Sequence, residues 1–75
     1  MSTIDKILEI LESENIEEFE CIVEFVEEAI VENNSGDDRK IKALELFFNE
    51  YTEDSDDNPF NNAGFDELIE CYYRI

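Results

Sequence analysis

Five glutamates, Glu17, Glu20, Glu24, Glu27 and Glu28, have the type and spacing in this sequence that could do specific chemistry. At roughly 100° per residue they share an arc about 100° wide on one side of a helix. Helical rise sets them within ~16 Å, about one carboxylate per 3–4 Å, close to the ~3.4 Å per charge of a single DNA strand. Carboxylates so spaced can pair with Arg and Lys that otherwise hold phosphates. The expected chemistry is ionic recognition of a basic protein surface by imitation of phosphate charge. Asp54, Asp56 and Asp57 could extend the surface, and Phe60 and Tyr73 could add, near its rim, the specificity that charge alone lacks.

Other chemistries find little support. The chain has no His, the commonest general base and metal ligand. It carries no Gly-rich phosphate loop, nucleophile elbow or paired-Cys motif. Catalytic carboxylate pairs need environments that push their pKa values apart, which solvated glutamates on a helix face do not offer. The reading is a non-enzyme without a cofactor. A calcium loop starts well, with Asp54, Asp56 and Asn58 at the first, third and fifth ligand positions, but Pro59 then replaces the required Gly and Phe65 the bidentate Glu. Starting at Asp56 restores Glu67 at the end but puts Phe60 at the fifth position, so no metal site is expected.

In size, acidity and helical content the chain is similar to acyl carrier proteins, which attach a prosthetic arm to a Ser in an Asp-Ser-Leu triplet. Here Ser35 lies in Asn-Ser-Gly and Ser55 in Asp-Ser-Asp, so the motif is absent. Tyr72 and Tyr73 near a short acidic helix resemble the aromatic anchors of immunity proteins that neutralise bacterial nuclease toxins. Neither likeness assigns a family.

Twenty-two acids against five bases among 75 residues give a net charge of −17. That field repels polyanions, so direct binding to nucleic acid or an anionic membrane is disfavoured and a basic partner favoured. With 43% hydrophobic residues at helical spacing, the chain is nevertheless built to pack a core, as one domain over residues 1–75. From Asp5 to Glu32 only Lys6 is basic, so pairing within that half cannot neutralise its acids, and unpaired repulsion suggests an external counter-charge. Arg39, Lys40 and Lys42 cluster later, within reach of Asp37, Asp38 or the second helix. The absence of a basic leader and of a long apolar run predicts a soluble cytoplasmic protein, with Cys21 and Cys71 reduced and apolar in role.

The elements that must position these residues form an all-α fold, a small single-domain bundle of three to four amphipathic helices. Ser2 or Thr3 caps a first helix with Ile4, Ile7, Leu8 and Leu11 inward and Asp5, Glu9 and Glu12 opposite. Ser13 or Asn15 caps a second, running to about Glu32 and stopped by Asn33-Asn34-Ser35-Gly36. Its inner half comprises Ile16, Phe19, Ile22, Val23, Phe25, Val26, Ala29 and Ile30. Asp37 or Asp38 caps a third, with Ile41, Leu44, Phe47, Phe48 and Tyr51 on one face. A polar loop from Thr52 to Ala63, pinned to the core by Phe60, leads to a last helix from about Gly64 with Phe65, Leu68, Ile69 and Tyr72 inward. The alternative for the last six residues is a strand.

The resulting expectation is a small acidic inhibitor of a nuclease or other nucleic-acid-acting enzyme, of the phage anti-defence (anti-CRISPR) or toxin-immunity type. The alternatives are an acidic carrier or adaptor domain docking on a basic patch, and an oligomerising helical protein, a homodimer for example, because the second helix is apolar around half its circumference.

Overall fold

The computed structural model describes residues 3–13, 16–52 and 58–75, and the bundle is built from four helices among them: α1 (Thr3–Ser13), α2 (Phe19–Asn34), α3 (Arg39–Tyr51) and α4 (Phe65–Tyr73). A single 3-10 turn, Pro59–Asn61, precedes α4. Among the described residues there is no strand, and the C-terminal segment is helical. α3 is the hub: it packs against α1, α2, α4 and the 3-10 turn. Its Ala43, Leu44 and Phe47 are buried with Ile7 and Leu11 of α1, Ile22, Phe25, Val26 and Ala29 of α2, and Leu68 and Cys71 of α4. The Cα radius of gyration is 11.4 Å, against roughly 11 Å for a folded chain of this length. The core therefore holds the chain compact against its own charge.

Each helix boundary has a local cause. Ser13 Oγ donates back to Glu9 O at 3.0 Å, which closes the last turn of α1 rather than opening α2. Asn15, the other expected cap, lies outside the described residues. α2 starts only at Phe19, after a turn in which Phe19 N–H donates to Ile16 O at 3.2 Å. Glu17 is therefore not on the helix, which corrects the five-residue stripe to four. α2 ends where the Asn-Ser-Gly signal places it: Gly36 has φ +99°, its N–H reaches Asn33 O, and Asp37 N–H reaches Glu32 O at 2.8 Å. These paired bonds satisfy carbonyls that the helix end would leave open. Asp38 occupies the N-cap of α3 without a side-chain cap bond, and Asp37 Oδ1 accepts from Arg39 N–H instead.

The start of α4 is held by two carboxylates. Glu67 accepts from the Gly64 N–H at 2.8 Å. Glu18, 47 residues earlier, accepts from the Phe65 N–H. A Cβ on residue 64 would stand 3.1 Å from Glu18 Oε2, so glycine there lets the carboxylate in. Glu18 thus ties the turn before α2 to the helix dipole of α4. Glu18→Ala should lower stability by about 1 kcal/mol, the usual cost of a lost cap. Glu17→Ala, one residue away and without such a bond, should leave the urea midpoint unchanged; equal losses for both would contradict this role.

Asp37 is also bound by the Arg39 guanidinium, Nε to Oδ1 at 3.1 Å and Nη2 to Oδ2 at 2.9 Å. These hydrogen bonds, aided by the Arg39 N–H, hold its carboxyl down at about 2. Because the folded value lies below the unfolded one of 3.8, this contribution is complete above that pH and is lost as pH falls through about 2. Asp37→Asn should remove the corresponding slope from an acid-unfolding profile between those limits.

Candidate acidic and aromatic binding face

Glu20, Glu24, Glu27 and Glu28 all lie exposed on α2, spread over roughly 12 Å of helix, about one carboxylate per 4 Å. Glu20, Glu24 and Glu27 take part in none of the ion pairs among the described residues. Glu28 differs. Lys40 crosses from α3 and bridges it at 2.9 Å and Glu32 at 2.7 Å. The N-terminal half therefore receives a counter-charge from the later cluster of bases, which the sequence places within reach of the second helix. Lys40 is well placed for this because its stem is covered and its Nζ lies 5.6 Å from the Phe25 ring centroid. Its pKa is raised, first by the bond to Glu32 and then by that to Glu28. The other two bases of the cluster stay local, Arg39 on Asp37 and Lys42 on Asp38 at 3.2 Å. Arg74 pairs with Glu50.

The remaining expected contacts separate. Phe60 is half-buried with its ring 5.2 Å from that of Phe47, so it is the loop's anchor in the core rather than a rim contact. Asn58, a proposed calcium ligand, is buried, and its Oδ1 accepts from the Phe60 N–H at 2.9 Å. Glu17 shares with Phe60 and Asn58 a polar hollow of about 300 Å³ beyond the start of α2. Asp54, Asp56 and Asp57 lie outside the described residues. Among the described residues no group of three acids or cysteines is arranged to hold a metal ion.

Tyr73 is 81% exposed and stacks on Tyr72, with centroids 6.0 Å apart and planes 14° from parallel. Together with Phe25, Phe65 and Ile69 the two tyrosines line a mainly apolar groove of about 370 Å³ between α2 and α4, bordered by Glu24 and Glu28. Cys21 opens into this groove and is exposed. Cys71 is buried, and burial, then the neighbouring Glu50, pushes its thiol pKa up. Neither cysteine is in a disulfide. Phe19, Ile30 and Val31, the last 64% exposed, leave apolar surface on α2 as well.

The residue that sequence reasoning missed here is Glu18. Periodicity could not flag Glu18, whose partner is far along the chain. The cluster of Arg39, Lys40 and Lys42 did signal a base within reach of α2, but not which acids it would choose. No helix is long and apolar enough to cross a membrane among the described residues. No protein-family model, no characterised protein and no solved structure matches the chain, so the acidic helix and its adjoining aromatic groove carry the functional reading unaided.

Proposed function

We propose that this protein is an inhibitor that binds the basic nucleic-acid-binding surface of a nuclease or other nucleic-acid-acting enzyme, presenting carboxylates in place of phosphates. One observation carries the reading: Glu20, Glu24 and Glu27 stand exposed and without ion pairs on a helix whose opposite face is locked into the core. A protein seeking only solubility gains nothing from like charges aligned on one rigid side, because their repulsion opposes folding. A basic groove supplies the missing counter-charge. Anti-defence and toxin-immunity proteins, intracellular by role, both fit this description. Long-range attraction speeds association and makes it salt-sensitive.

The test is a pull-down from the native host across a salt gradient. Basic nucleic-acid enzymes eluting as salt rises support inhibition; biosynthetic enzymes released instead, or gain of a phosphopantetheine arm on treatment with its transferase, favour the carrier reading. A homodimer is the second reading, favoured by the exposed Phe19, Ile30 and Val31. Sedimentation at low and high salt distinguishes it, since screening would strengthen association between copies of so acidic a chain.

A further inference from the structure

We infer that the groove between α2 and α4 is a receptor for an arginine side chain of the basic partner, seated on the open face of Tyr73 and paired with Glu24. This rests on the proposed function and names the group that the partner inserts.

The groove already holds one cation. Lys40 Nζ lies 5.6 Å from the Phe25 ring centroid and 6.0 Å from that of Tyr72, while Glu28 and Glu32 take its hydrogens. Aromatic faces flanked by carboxylates are thus shown, within the molecule, to accommodate a side-chain cation here. Tyr73 and Glu24 line the same groove, and among the described residues no cation pairs with Glu24 or stands over Tyr73. Tyr73 has one face on Tyr72 and is otherwise open, and Glu24 on the bordering helix has no ion pair. Neither arginine of the chain fills it: Arg39 is held by both oxygens of Asp37, and Arg74, next to Tyr73 in sequence, pairs with Glu50. A flat ring beside a two-oxygen acceptor suits guanidinium better than ammonium, because guanidinium is planar, weakly hydrated and donates through a fork. Apolar floor and acidic border together exclude an anionic or purely aliphatic occupant.

Cys21 reports on occupancy because it opens into the groove, whereas buried Cys71 serves as the internal control. The probes are an oligoarginine peptide and an oligolysine peptide of equal length and charge. The expected result is oligoarginine binding about three- to tenfold more tightly. Its binding also slows alkylation of Cys21 by uncharged iodoacetamide. Tyr73→Ala, at a position too exposed to affect folding, abolishes both the preference and the protection.

Peptides that bind equally well and leave Cys21 alkylation unchanged or faster would overturn the arginine site while leaving the acidic face intact. Failure of both peptides to bind at low salt would overturn the proposed function itself. Protection that grows with protein concentration in the absence of peptide would seat a second copy of the chain in the groove and overturn the assignment.

Discussion

Reversing Glu20, Glu24 and Glu27 to lysine is expected to abolish partner binding while leaving the helices intact. The three side chains are exposed and without ion pairs, so their replacement breaks no bond within the molecule. Lysine and glutamate have similar helix propensity, and the net charge falls in magnitude from −17 to −11, two units for each reversal. Self-repulsion therefore weakens and the urea midpoint should hold or rise. At the interface each reversal turns an attraction into a repulsion, and close charge pairs carry much of the affinity in such complexes. A loss of about 4 kcal/mol or more, roughly a thousandfold in Kd, is the expected scale. Glu28 is left out of the variant because Lys40 depends on it. Far-UV circular dichroism checks the fold and titration calorimetry the binding; a variant that keeps its affinity removes the basis for charge mimicry.

The second large effect is on stability. Phe47→Ala should destabilise by about 3–5 kcal/mol, the range for emptying a buried aromatic site. A domain of this length is stabilised by only roughly 4–11 kcal/mol in total, so the variant should lose about a quarter of its stability or more. Phe47 is fully buried on the hub helix, with Tyr51 and Phe60 rings each 5.2 Å away. Its loss frees Phe60 and with it the 3-10 turn that leads into α4. Urea unfolding measures the effect, with Tyr73→Ala as the exposed aromatic control. A midpoint shift for Phe47→Ala no larger than that of the control would contradict the assigned hub.

Helical periodicity was enough to read the four-helix architecture and most of its core, because Ile7, Leu11, Ile22, Val26, Leu44, Phe47 and Leu68 recur at three- and four-residue spacing and all face inward. The stop after Asn34 was equally legible, since glycine at position 36 takes the left-handed backbone that ends the helix. The start of α2 was not. It follows a turn closed by the Phe19 N–H on Ile16 O, and Glu18 in that turn reaches the N-terminus of α4, a contact between residues far apart in sequence that no local pattern encodes. Phe60 was legible as the residue that pins the loop to the core, though not its partner Phe47, which belongs to another element. Of the candidate face, the acids of α2 could be placed from spacing alone. The groove beside them could not, since Tyr73, Cys21 and Glu24 come to one groove only when α2 and α4 both pack on α3.

The most direct test of phosphate mimicry is competition for one site on a captured enzyme. With labelled nucleic acid bound to that enzyme, increasing amounts of this protein should raise the apparent Kd for nucleic acid linearly. The maximal signal should stay unchanged, and the Glu20, Glu24 and Glu27 reversal should have no effect. Formation of a ternary complex of enzyme, nucleic acid and this protein, with the Kd for nucleic acid unaltered, would contradict the account.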